Sequence, residues 1–266
     1  MPAPTTSPAH PPRPRLHAAA APFRRRVERA GVAVGAALIV SGLFHLVVFA
    51  VDGGPWDGPV SWRKPVTFGL SFGLTLITVT WVATHLALGE RARAVLLGVL
   101  TADCVVEVGG ITLQAWRGVP SHLNRETSFD SAVSTVLAAG GGVLIVVLTA
   151  MAVAALRPNP RVTPSMLLAV RAGFATLMAG LATGAAMIAR GVIEASAGHQ
   201  QEAYRVAGFL KPVHAVSLHG VLVLPALAAV LSLTGWHEAR RTRAVAAASA
   251  AYALAIAAAL AYSLLR

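Results

Sequence analysis

Apolar residues in this chain come in long uninterrupted runs rather than alternating or keeping to one face. Runs at approximately 31–51, 66–88, 94–116, 132–156, 166–189, 213–235 and 244–265 stand out. A helix needs about 20 residues to cross a hydrocarbon core about 30 Å thick. In that medium a helix is one of only two structures that satisfy the backbone internally. The pattern therefore predicts an all-α fold: a polytopic transmembrane helix bundle of about seven spans over residues 30–266. Residues 1–29 read instead as a disordered, proline-rich and basic cytoplasmic tail. The basic stretch FRRRVERA runs straight into the apolar run from Gly31 to Val51. That run exceeds the roughly 7–15 residues of a signal-peptide core, so it reads as an uncleaved first span.

Composition agrees with the pattern. Hydrophobic residues make up 56% of the chain and charged residues 12%, against about 25% charged in a soluble domain. A water-soluble globule is thereby excluded. Lys and Arg number 22 against 11 Asp and Glu, a net charge of +11. In a soluble protein that excess would suggest nucleic acid. Here the arginines gather in alternate loops: Arg24, Arg25, Arg26 and Arg29, then Arg91 and Arg93, then Arg157 and Arg161, then Arg240, Arg241 and Arg243. Cytoplasmic loops of membrane proteins carry such an excess. The expected partner is accordingly the lipid bilayer of a bacterial cytoplasmic membrane and not a nucleic acid. The N-terminus is expected inside and the C-terminus outside. The single Cys104 provides neither a disulfide nor a covalent haem attachment motif.

The basic loops are short, whereas the opposite loops are long and varied: DGGPWDGPVSWRKP, RGVPSHLNRETSFDS and the stretch from Arg190 to Pro212. A localised function is expected on that outer side. Within the third run, Asp103, Glu107, Gly110 and Gln114 fall on one helical stripe. Carboxyl groups in hydrocarbon are costly unless they face protein or water, so the stripe is expected to point into the bundle. Thr67, Ser71, Thr75, Thr78 and His85 form a second polar face on span two. This face suits helix packing, or a wall opposite the Glu107 stripe. Gly140, Gly141 and Gly142 suggest close helix contact on span four. Arg171 is expected to snorkel to the inner interface, with Asp103 as an alternative partner.

Four histidines are candidate metal ligands: His45, His122, His214 and His219. His45 and His219 lie at a similar depth, roughly 9 Å below the outer boundary at 1.5 Å per residue. Equal depth on different helices is what a bis-histidine haem or a divalent metal requires. Together with Glu107 these two form a candidate cofactor-binding set, to which Asp103, Gln114, Arg117 and Asp130 add polar neighbours. Asp130 or Ser131 is expected to cap span four, and Arg117 and His122 to overhang the outer mouth of the stripe.

Three blocks carry a resemblance: Trp62-Arg63-Lys64-Pro65, Arg117-Gly118 through Ser121-His122 to Phe129-Asp130, and His214 through His219 to Pro225. Together they resemble a family of multi-pass integral membrane proteins from high-GC, actinobacterial-like bacteria, one with no assigned activity. The resemblance implies that these blocks belong to one site. The chain is also similar in layout to the seven-span zinc hydrolases of the ceramidase and progestin-receptor-like superfamily. It departs from them in spacing, with His214-x-x-x-x-His219 where they have His-x-x-x-His. Three functions fit these patterns. One is an outward-facing site for a metal, haem or quinone-like cofactor. The second is a proton-coupled small-molecule transporter using Asp103 and Glu107. The third is a non-enzymatic membrane assembly subunit that docks a protein partner.

The charge asymmetry sets a direct test of orientation. In a Cys104→Ser background, His199→Cys should react with a membrane-impermeant maleimide on intact cells, and Arg161→Cys only after permeabilisation. The reverse pattern would invert the topology.

Overall fold

The computed structural model describes residues 23–265. The disordered-tail expectation for residues 1–22 lies outside the described residues, as does Arg266. Eight helices follow in order: α1 (Arg26–Asp52), α2 (Arg63–Ala83), α3 (Glu90–Trp116), α4 (Ser128–Leu156), α5 (Pro164–Ser196), α6 (Gln200–Val206), α7 (Lys211–Ser232) and α8 (Glu238–Leu264). All except the short α6 are long and apolar enough to cross a membrane. Among the described residues the fold is all-helical. Large side chains such as Val40, Phe44, Val47, Val146 and Leu254 face outward, which suits a hydrocarbon surround and not water.

Helix ends differ from the sequence expectation where a local interaction decides. α1 starts at Arg26, inside the segment read as tail. There the Glu28 carboxylate accepts from the Arg25 backbone N–H at 3.1 Å, in the manner of a capping box. α2 stops at Ala83, short of the apolar run's end. The Thr84 hydroxyl donates to the Trp81 carbonyl at 2.6 Å, and the Arg93 guanidinium takes the Ala83 and Leu86 carbonyls. α5 instead runs on to Ser196, because no breaker intervenes before Gly198, which adopts φ 83°. The stretch after Arg190, expected to be an outer loop, thus contains the end of α5 and all of α6. α4 begins at Ser128 and its cap is Thr127, whose Oγ1 accepts from the Asp130 N–H at 3.1 Å. Asp130, one of the two expected caps, occupies the third helical position.

Two helix pairs form the tightest seams. α1 and α2 cross where Gly42 meets Gly69 and where Gly35 meets Gly73, with backbone against backbone. α5 and α7 cross where Gly173 and Gly180 admit Val221 and Leu218. Small residues let helices approach within the reach of dispersion forces, the main attraction available in lipid. α3 packs on α1 and α2, α4 links α3 to α5, and α8 rests on α5 and α7. α2 and α7 meet only lightly. The core between these elements is built from Leu76, Val79, Leu97, Met151, Phe174 and Leu224.

At the end expected to be cytoplasmic, arginines close the helix C-termini. Arg93 of α3 covers α2, Arg171 of α5 donates to Ala155 and Leu156 of α4 at 3.0 Å, and Arg241 donates to Thr234 beyond α7 at 2.8 Å. Each guanidinium satisfies carbonyls that the helix leaves open, and each opposes the negative end of its dipole. Arg171 therefore serves the interface and not Asp103. Glu238 does the converse for α5, accepting from the Ser165 N–H at 2.7 Å.

The glycine seam makes a sharp prediction. A Cβ at Gly73 would collide with Gly35 backbone oxygen and Ile39, whereas one at Gly141 would meet open space. Gly73→Val should lower stability by about 1–3 kcal/mol in detergent unfolding assays, while Gly141→Ala should leave it within about 0.5 kcal/mol.

Candidate functional site

The α3 stripe faces α4 as its spacing requires. Asp103, Glu107 and Gln114 are all buried, and Gly110 lies against Leu137. Opposite the two carboxyls stands Gly140. A Cβ at that position would overlap Glu107 Oε1 and press on Asp103 Oδ1, so both acids lie against bare α4 backbone. Of the three expected contact glycines only Gly140 does this; Gly141 and Gly142 face open space. Glu107 Oε1 and Asp103 Oδ2 are fully buried and have no hydrogen-bond partner. Asp103 and Glu107 sit one turn apart, and each is the other's charged neighbour. Burying an unpaired carboxylate costs many kcal/mol, so the chemistry this geometry favours is a pair of neutral carboxyls.

A polar plug closes the end of the stripe at the C-terminus of α3. Gln114 Nε2 donates to Asp130 Oδ1 at 2.9 Å, and Arg117 Nη1 pairs with the same oxygen at 2.5 Å while also bonding the Gln114 side-chain oxygen. The Thr127 hydroxyl donates to Asp130 Oδ2 at 2.6 Å. Arg117 also lies 4.6 Å from the centre of the Phe129 ring, a cation–π distance. Gln114, Arg117 and Asp130, expected as polar neighbours of the stripe, meet one another here. Thr127 was expected only as a turn or cap former, and it also completes the plug. The signal present was a Thr three residues before an Asp at a helix start.

The histidines are not gathered. His45 lies on α1, its Nδ1 bonded to the Ser41 carbonyl at 2.7 Å and its Nε2 accepting from Trp116 Nε1 at 3.1 Å. Its ring stacks near Trp62, whose Nε1 donates to Asp52 at 3.0 Å. Both imidazole nitrogens are therefore engaged, and His45 ties α1 to the start of α2 and the end of α3. His214 turns to α5, with Nδ1 on the Gly180 carbonyl at 2.7 Å. His219 is exposed on α7, with Nδ1 on the Ala215 carbonyl at 2.6 Å. Its neighbours across the helix gap are Ser71, Thr75 and Thr78 of α2. Of the two readings of that α2 face, helix packing or a wall opposite the Glu107 stripe, the second does not hold for Ser71, Thr75 and Thr78, which lie toward α7. His122 bonds Ser121 at 2.9 Å and packs against Phe68 of α2, so it does not overhang the stripe. Among the described residues no three His, Cys, Asp or Glu side chains group as metal ligands. The expected set of His45, His219 and Glu107 is divided among three environments, and its donors do not fit one haem or one divalent metal.

Sequence reading also treated Glu28 and Arg93 as loop charges. Both are buried, with Arg93 3.9 Å from Glu28 and Arg25 bridging Glu28 to Glu90 at 2.9 and 2.6 Å. Their placement in the first helical turns was the available signal. Compared with known proteins, the chain matches no family model, no curated protein and no solved structure.

His122 provides the pH test. Burial, reinforced by the nearby Lys64 charge, pushes its pKa down from 6.5 to about 4. The unfolded chain then takes up the proton first as pH falls, so the contribution of neutral His122 is complete above about pH 6.5 and is lost toward pH 4. Stability measured between pH 7 and 4 should fall less steeply in His122→Gln than in the wild type.

Proposed function

We propose that this integral membrane protein is a proton-coupled small-molecule transporter of the bacterial cytoplasmic membrane, with its N-terminus cytoplasmic and its C-terminus external. The observation that carries the reading is the Asp103–Glu107 pair: two buried acids one turn apart, with unpaired oxygens, against bare Gly140. Ionisable groups at membrane depth are expensive and mark proton relays and ion pathways. Among the described residues no cation pairs with either acid, so a proton is the counter-charge the site can hold. Gln114, Arg117 and Asp130 stand between the pair and the outer surface. Movement of that plug would join the acids to external water. A metal or haem centre is less well supported, because the histidines occupy separate environments.

Dicyclohexylcarbodiimide reacts with protonated carboxyls in apolar surroundings, and so reads the site directly. In proteoliposomes near neutral pH it should form an N-acylurea on an α3 peptide. The yield should decline as pH rises and fall at least about tenfold in the Asp103→Asn/Glu107→Gln double variant. Absence of labelling, or labelling unchanged in that variant, would overturn the proton site. Under an inward proton gradient, the wild type should also accumulate compounds from a mixed metabolite pool, detected by mass spectrometry. Glu107→Gln should not.

A further inference from the structure

α4 carries three consecutive glycines, Gly140, Gly141 and Gly142, beside the carboxyl pair. Gly140 is explained by the acids that lie against it. Gly141 and Gly142 have no such reason, since a Cβ on either would meet open space. After proline, glycine is the residue least favourable to a helix interior. Two in succession with no other helix against them weaken α4 at one point and tighten no contact. Sharp bends in helices gather at such places.

The triplet also divides α4 into halves that are held differently. Beyond it, Val147, Leu148, Met151, Ala154 and Ala155 are buried and belong to the central core. Before it, the buried residues are Asp130 and Leu137 alone. Leu137 rests on Gly110 of α3, and the Ser134 hydroxyl donates to the Ser121 and Asn124 carbonyls. Asp130 supplies the polar attachment to α3, through Gln114 and Arg117. Core packing thus fixes the C-terminal half, whereas the N-terminal half is latched near its tip. Here the latch is closed, and α4 runs unbroken from Ser128 to Leu156.

We infer that residues 140–142 form a hinge and that residues 128–139 of α4 are a gate over the carboxyl pair. Asp130 lies about 15 Å along the axis from Gly140 at 1.5 Å per residue. A bend of about 20° at the glycines carries it about 5 Å sideways, out of reach of Gln114 and Arg117. The same movement draws Leu137 off Gly110. A wedge opens between α3 and α4, with Asp103 and Glu107 at its apex. What this opening serves, access to the pair, rests on the transporter reading; the hinge itself rests on the glycines and on the unequal packing of the two halves.

Double electron–electron resonance on the full chain in liposomes tests the hinge, in a Cys104→Ser background. Val40 of α1 is exposed and serves as the common reference. It is paired with Thr135 in the N-terminal half of α4 or with Val153 in the C-terminal half, both exposed. Each site is changed to Cys and spin-labelled. Asp130→Asn should raise a second, displaced distance in the Thr135 pair at least about fivefold, the scale of one hydrogen bond to a charged group. Adding Gly141→Ala and Gly142→Ala should reverse that rise by about fivefold, the scale of two glycines in a helix. The alanines enter open space, so thermal stability should not fall. A single unchanged distance for the Thr135 pair in Asp130→Asn, an equal shift in the Val153 pair, or a second population indifferent to the alanines would overturn the inference. The measurement reads backbone movement and no proton. Failure of the hinge is therefore distinguishable from failure of the proton site, which carbodiimide labelling reads.

Discussion

A polar group in hydrocarbon must find its partner within the protein, and most of this structure follows from that requirement. The backbone answers it by coiling into helices. The helix ends answer it by borrowing side chains: Glu28 and Glu238 for open N–H groups, Arg93, Arg171 and Arg241 for open carbonyls. Most hydroxyls fold back on their own helix. His45 uses both ring nitrogens, and Gln114, Arg117, Asp130 and Thr127 close on one another. Against that pattern the two neighbouring carboxyls stand out, because Asp103 Oδ2 and Glu107 Oε1 are buried acidic oxygens with no partner.

The packing explains why those exceptions persist. Glycine seams hold α1 to α2 and α5 to α7 with backbones in contact, leaving no gap into which a polar side chain must fit. α3 meets α4 less extensively than either seam, and the carboxyl pair lies at that contact, buried and suited to an ion as small as a proton.

The spans and their number were legible because run length alone decides them. The burial of Asp103, Glu107 and Gln114 was legible too: their spacing puts them on one stripe, and solvation energy dictates which way a charged stripe turns. The histidines illustrate what was hidden. Equal depth on α1 and α7 says nothing about azimuth, and the rotation of each helix is set by seams such as Gly42 on Gly69, which depend on two helices at once. The polar face of α2 was recognised, but its direction was not, for the same reason. Arg93 and Glu28 were hidden differently, since a charge near a helix start reads as loop until the neighbouring C-terminus is known to lie beside it.

The arginine caps have a consequence for biogenesis. The carbonyls closing α2, α4 and α7 are met by side chains that come later in the chain, from α3, α5 and the start of α8. A nascent chain cut off after any of those three helices exposes a ragged polar end at one membrane face. The complete element is therefore a hairpin, and the membrane-inserting machinery gains the full energy of each capped helix only once the helix that follows it has begun to emerge.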